Sequence, residues 1–232
     1  MNIRDLAHKY RNAWWAKFVE PIWYPIKYRN KKKNYKVNAT EVLLKAKFCL
    51  ENAGLFFWLD FGTLLGAYRE KDFIKHDLDI DISLFAKDIQ AVYKAMAEGN
   101  FKLEKKYEDE NDPTITEHTY SFQGVAIDIF FYKEAGNLMY CHSFFWHKED
   151  DYLNDKKAKA AIKKVFFPNN GFTTLAFKGE IFNVPKNIEQ YLATNYGPTF
   201  MTPDKKFDFF KTSKNITYYS KLEKAGIYTK YV

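Results

Sequence analysis

Cysteine is nearly missing from this chain. Cys49 and Cys141 are the two cysteines among 232 residues. Their spacing matches neither a disulfide framework nor a metal module, and a reducing compartment is the simplest setting. Long apolar runs are also missing, and none approaches the roughly 20 residues that span a bilayer. Met1 to Tyr10 is polar and lacks the apolar stretch of a secretory signal. A cytoplasmic location is therefore expected, and the Asn-x-Thr sequons at Asn38 and Asn215 carry no weight there. Arginine is scarce beside lysine, which reads as coding bias.

Aromatic residues are abundant, at 19%, and a hydrophobic content of 47% suffices for a real core. The length fits one domain with appendages. Net charge is +7 but uneven. Residues 1–37 hold ten Lys or Arg against two acids, and residues 199–232 hold seven against three, so the middle is net acidic. Basic ends around an acidic centre do not suit a general nucleic-acid binder, and no nucleic-acid partner is expected. They fit a metal site within and an anionic surface outside, or plain solubility.

The stretch from Trp58 to Phe85 holds the chemistry. An apolar strand, Leu55–Leu59, runs into Gly62-Thr63. A short helix-compatible segment and a loop follow, and then Asp77-Leu78-Asp79-Ile80-Asp81-Ile82. In a strand, residues i and i+2 share a face, so Asp79 and Asp81 lie together, with Asp77 if the strand has begun there. Neighbouring carboxylates repel unless a cation sits between them, and Mg²⁺ takes one or two carboxylates plus substrate phosphates. An isolated Asp-x-Asp is more often an ordinary acidic strand face. Gly62 permits close backbone approach, and Thr63 at a helix N-terminus would suit a phosphate. Downstream, Val125 to Phe131 is an apolar strand interrupted by Asp128, a carboxylate costly to bury unless paired or on a metal.

Gly62-Thr63-Leu64-Leu65-Gly66-Ala67-Tyr68-Arg69, followed by Phe73-Ile74, Asp77, Asp79-Ile80-Asp81-Ile82 and the Ile127-Asp128-Ile129-Phe130 strand, resembles the LicD/fukutin-related phosphotransferases of the nucleotidyltransferase superfamily. Later signals in order, Val184-Pro185, Tyr191-Leu192 and Tyr196-Gly197, extend the resemblance over roughly residues 40–205. Lys75-His76 stand where that family commonly has Pro-Trp, and His76 reads as a surface residue.

The resemblance implies an α/β (α+β) fold with a nucleotidyltransferase-like mixed sheet flanked by helices. It divides the chain into an aromatic and basic arm (1–37), a catalytic domain (38–204) and a C-terminal extension (205–232). It also implies a CDP-linked donor such as CDP-choline. A phosphorylated alcohol, phosphocholine first, would pass to a hydroxyl of a cell-surface glycan or its lipid-linked precursor. Asp79, Asp81 and Asp128 would be catalytic and would hold Mg²⁺ or Mn²⁺. Gly62 and Thr63 would cradle phosphate, Arg69 would stabilise its charge, and Asp77 would also contact substrate. Two alternatives stay open. One is a nucleotidyltransferase moving an NMP group. The other is a non-catalytic membrane-surface protein, in which residues 14–36, with Trp14, Trp15, Trp23 and a polybasic run, would contact anionic lipid at the inner face of the membrane.

For the remaining elements, Asn38 and Glu41 form a capping-box pattern that predicts a helix from Asn38 to Gly54. Lys87–Glu98 is predicted helical, and Thr114–Phe122 and Leu138–Trp146 extended. Asp150–Lys164 is charged and helix-compatible. Residues 173–185 read as a hairpin, and Asn187 as the cap of a short helix. His142 and His147 are read as structural or surface residues.

Overall fold

The computed structural model describes residues 16–145, 152–154, 156–204, 207, 213–219 and 226–231. Trp14, Trp15 and His147 lie outside the described residues. The fold is mixed α/β. Helix α1 spans Ala16–Asn52, α2 Phe61–Arg69, α3 Ile89–Glu98 and α4 Ile188–Tyr196. Strands β1 (Phe57–Leu59), β2 (Asp79–Phe85), β3 (Lys102–Asp109), β4 (Thr116–Phe122), β5 (Val125–Ala135) and β6 (Leu138–Phe145) build the first part of the sheet. Strands β7 (Tyr152–Asn154), β8 (Lys157–Pro168), β11 (Ile216–Tyr218) and β12 (Gly226–Lys230) complete it, and β9 (Phe172–Phe177) pairs with β10 (Glu180–Pro185) as a separate hairpin.

The sheet runs β1-β2-β5-β4-β3-β12-β8-β11. The β2–β5 pair is parallel, and every other pairing is antiparallel. Because β6 pairs with both β5 and β8, six strands form a closed circuit, β5-β4-β3-β12-β8-β6. Tyr107 on β3 stacks on Phe144 of β6 at 5.4 Å although those strands are not neighbours in the circuit. Side chains therefore fill its inside, where Tyr107, Ile115, Phe144, Ala160 and Ile162 form a small core of their own.

The main core includes the other side of the circuit wall. Ile80, Ile82 and Leu84 of β2 and Ile127 and Ile129 of β5 are fully buried on one face. Tyr93 of α3 lies 4.6 Å from His118 of β4, which pairs with Ile129, so α3 covers this face, and α1 packs beside it. The opposite face carries Asp79, Asp81 and Asp128, and α4 reaches it through Tyr191.

Two expectations about elements need correction. The helix does not start at Asn38, because α1 runs continuously from Ala16 through Pro21 and Pro25 to Asn52. Asn38 and Glu41 are not a capping box. Asn38 donates to the Gln123 carbonyl at 3.0 Å, and Glu41 accepts from the Gln123 amide at 2.8 Å, so both bind the β4–β5 turn. The stop at Gly54 does hold: its φ is +68° and Leu55 N–H returns to the Leu50 carbonyl, a left-handed glycine closure. The second correction concerns residues 150–164, of which 152–154 and 157–164 are extended. In β8, Ala158, Ala160 and Ile162 are buried between the exposed or half-buried Lys157, Lys159 and Ala161. That period of two is a strand signal, masked in sequence by the lysines. At Asn187 the residue does precede a helix, but in a left-handed conformation and with no side-chain cap bond.

Candidate active site

The site is built where β1 hands over to α2. Asp60 is the N-cap: its Oδ1 accepts from Phe61 N–H at 2.8 Å. The backbone turns sharply there, and Phe61 has a φ of +38°. Such a conformation costs about 1–3 kcal/mol in a non-glycine residue. Packing of the Phe61 ring between Phe130 at 4.5 Å and Phe167 at 5.8 Å holds it. The turn lays the first residues of α2 across β2. Gly62 N–H donates to Asp81 Oδ2 at 2.9 Å, and Asp81 N–H donates to Thr63 Oγ1 at 2.8 Å.

These bonds change the reading of the Gly-Thr turn. A helix N-terminus attracts anions, and here the anions are the protein's own Asp60 and Asp81. Thr63 is buried and ties strand to helix instead of facing a cavity. Gly62 lines the larger cavity, and its lack of a side chain also serves the carboxylates. A Cβ on it would lie 2.6 Å from Asp77 Oδ2 and 3.0 Å from Asp81 Oδ2. Gly62 is the floor on which two carboxylates rest.

Asp81 and Asp128 sit side by side on the parallel pair β2–β5. The row continues outward in register, Asp128 to Thr119 on β4 and Thr119 to Lys105 on β3. Thr119 donates its hydroxyl to Asp128 Oδ1. Asp79 is one pleat away on the same face, with Lys31 Nζ at 3.8 Å from its Oδ2 and the Tyr35 hydroxyl on its carbonyl at 2.9 Å. Asp77 precedes the strand. Mutual repulsion is strong. Burial, then Asp79 and Asp128, push the Asp81 carboxyl well above the ordinary range. Burial, then Asp128, raise Asp79, and burial, then Asp79, raise Asp77 to about 6.

Among the described residues no three His, Cys, Asp or Glu side chains are gathered closely enough to hold a metal ion. Asp79, Asp81 and Asp128 share a face, but each turns to its own donor: Lys31, Gly62 N–H and the Thr119 hydroxyl respectively. Their donor chemistry, oxygen alone with excess negative charge, fits a hard divalent cation. Mg²⁺ commonly completes its shell with substrate phosphates instead of a full protein cage.

Two cavities flank this acidic row, one lined by Asp77 and the other by Asp79 and Asp128. The larger, about 720 Å³, is lined by Gly62, Arg69, His76, Asp77, Tyr196 and Phe200 among others. Arg69 is anchored there by Nη1 to the Phe200 carbonyl at 3.0 Å and Nη2 to Glu70 at 2.7 Å. Its Nε is buried with no hydrogen-bond partner among the described residues. The smaller, about 500 Å³, opens at the mouth of the strand circuit and includes Tyr28, Lys31, Asp79, Lys105, Thr119 and Asp128. His142 does not join either cavity; it is buried against Tyr219.

Sequence reasoning missed several of these residues. Asp60, fully buried, also accepts from Ser83 at 2.6 Å and Tyr191 at 2.8 Å. An Asp at the end of an apolar strand and before a helix is a cap signal, so it was there to be read. Lys31 lies in a basic run that gives no hint of which lysine turns inward. Lys105 sits in an alternating segment with no motif around it.

A family described as "LicD/FKTN/FKRP, nucleotidyltransferase domain" matches residues 54–187. The chain belongs to this family. It is 28% identical over 186 residues to the human protein named "Ribitol-5-phosphate transferase FKTN", covering 78% of this chain and 37% of that relative. The mouse counterpart is 30% identical over 187 residues, with the same coverage of both chains. The human "Ribitol 5-phosphate transferase FKRP" is 25% identical over 160 residues, 64% of this chain and 29% of the relative. The chain thus spans little more than a third of the length of the fukutin relatives it matches.

Proposed function

We propose that this chain transfers a phosphorylated alcohol from a CDP-linked donor to a hydroxyl of a glycan or of its lipid-linked precursor, releasing CMP. The observation that carries the reading is the pairing of Asp81 with Asp128 on adjacent parallel strands, in an acidic row with a cavity at Asp77 and another at Asp79 and Asp128. Two cavities suit donor and acceptor approaching one phosphorus from opposite sides. The names of the relatives make ribitol phosphate the first group to test, with phosphocholine second. The same reading retains a cytoplasmic setting. Among the described residues no helix is long and apolar enough to cross a membrane.

In the step itself, the acceptor oxygen forms a bond to the phosphorus that carries the alcohol. The bond from that phosphorus to the bridging oxygen breaks, and CMP leaves with the electron pair. Asp128, oriented by the Thr119 hydroxyl, receives the proton of the acceptor hydroxyl. Asp81 is fixed by Gly62 N–H, and Arg69 supplies positive charge at the rim of the larger cavity. Mg²⁺ or Mn²⁺ on Asp79, Asp81 and Asp128 would neutralise the diphosphate when bound. Positioning and charge neutralisation carry most of the catalysis in phosphoryl transfer.

The test is incubation with CDP-ribitol, CDP-choline, CDP-glycerol or nucleoside triphosphates, with a glycan acceptor and Mg²⁺, read by mass spectrometry. Phosphoalcohol on the acceptor with CMP released supports the proposal. An NMP group on the acceptor with pyrophosphate released would establish nucleotidyl transfer instead. No metal-dependent turnover, with retained binding to anionic vesicles, would favour a surface-binding protein.

A further inference from the structure

Lys105 stands out once the two lysines of the smaller cavity are compared. Lys31 reaches it from α1 and is within 3.8 Å of Asp79. Lys105 reaches it from β3, as the outer member of the row Lys105–Thr119–Asp128–Asp81. Adjacent strands lie about 4.8 Å apart. The Lys105 backbone is therefore roughly 10 Å from that of Asp128, two strands away, and its Nζ lies 5.5 Å from the centre of the Tyr107 ring. Among the described residues no carboxylate lies within 4.0 Å of its Nζ, although Asp128 and Asp79 line the same cavity. Its sequence neighbour shows the ordinary alternative. Lys106 points to the other face and pairs with Glu108 at 2.7 Å.

The ammonium is nevertheless held charged. Burial works against it, and the carboxylate of Asp128, with smaller contributions from Tyr107 and Glu117, outweighs burial and lifts Lys105 above the usual lysine range. A half-buried cation is thus poised across a cavity from a carboxylate row, without an ion pair of its own. Cation and carboxylates that line one cavity without touching leave a place for a phosphate between them. Lysine is a phosphate binder that acts as a compact point charge.

We propose that Lys105 is a catalytic residue, binding the non-bridging oxygens of the phosphoryl group that passes to the acceptor. This rests on the transfer reading above and adds to it a specific cation opposite the carboxylates. The competing account is structural, in which Lys105 only offsets the negative charge of Asp128 and Glu117 at the mouth of the strand circuit.

Lys105→Met keeps most of the volume and removes the charge, and Lys105→Arg keeps the charge. Removing one such electrostatic contact lowers kcat by about 10²–10³-fold. Lys105→Met should show that loss with the acceptor KM little changed, and Lys105→Arg should recover part of it. Both thermal midpoints should stay within a few degrees of the parent. A second arm uses CDP, whose terminal phosphate stands in for the transferred group. By calorimetry in Mg²⁺, Lys105→Met should bind CDP at least tenfold more weakly. If the parent transfers nothing from any CDP-linked donor yet Lys105→Met loses CDP affinity, the function reading and the catalytic role fail together, and phosphate binding by Lys105 alone stands. Parent-like kcat and CDP affinity in Lys105→Met would overturn the proposal, and so would a loss that tracks the unfolded fraction. A parent that neither transfers nor binds CDP overturns both.

Discussion

Gly62→Ala should separate activity from stability. The added methyl would sit 2.6 Å from Asp77 Oδ2 and 3.0 Å from Asp81 Oδ2, well inside normal carbon–oxygen contact. Asp81 is pinned by Gly62 N–H, so the two carboxylates must part or the turn must move. Either way a shift approaching 1 Å reaches the acidic row, and a misplacement of that size costs about 10²-fold in rate. The effect on stability is smaller. Crowding a packed site costs typically about 1–3 kcal/mol. Replacing glycine by alanine inside α2 returns up to about 1 kcal/mol of helix propensity. The net loss is therefore about 0–3 kcal/mol, which a domain of ordinary stability survives. Urea unfolding followed by tryptophan fluorescence, with transfer rates at 25 °C, measures both quantities on one preparation. A variant with parental stability and a rate within threefold of the parent would refute the claim that Gly62 sets the carboxylate geometry.

Asp81→Asn should abolish transfer and raise the thermal midpoint of the metal-free protein. Burial and four neighbouring carboxylates hold the folded Asp81 pKa above its unfolded value, so stability is lost as pH rises past about 4, the ordinary aspartate range. The gain should vanish below that pH. Glu117, buried and beside Asp128, is raised to about 7. The unfolded chain ionises it near 4.5, so stability falls between those values, by about 3 kcal/mol in all at about 1.4 kcal/mol per unit. Glu117→Gln should therefore be more stable than the parent at pH 8 and equal to it near pH 4.5, as read by urea titration at each pH. Tyr191→Phe removes a donor from buried Asp60 and should cost about 1–3 kcal/mol in equilibrium unfolding. An unchanged urea midpoint would show that α4 does not anchor the turn through this bond.

Much of the frame was legible in the sequence because it rests on local periodicity. Alternation put Asp79 with Asp81 and isolated Asp128 on an apolar strand, and the structure places Asp81 and Asp128 on neighbouring strands. What was illegible depends on pairing between distant segments. Nothing local to Thr119 or Lys105 says that β4 and β3 will carry them into line with Asp128. Lys31 is one of several lysines in a basic run, and only the path of α1 over the sheet selects it. The β8 strand was hidden for another reason: its exposed lysines imitate the polar face of a helix while the buried alanines are weak markers of either state. The Gly-Thr turn was located correctly, but its donors went to the protein's own carboxylates.

The strand circuit has a consequence for how this protein comes to be assembled. Its closure depends on β12, which pairs with β3 through Gly226–Lys230 and with β8 through Gly226–Thr229. During synthesis β3 must therefore wait for more than a hundred further residues before its second edge is covered. Contacts so distant in sequence form slowly, and an open strand edge recruits other chains. The cation on β3 is thus set in place by a segment made more than a hundred residues after it. Truncation before residue 226 should produce a protein that aggregates through the exposed edges of β3 and β8, even though most of the acidic site has already been made.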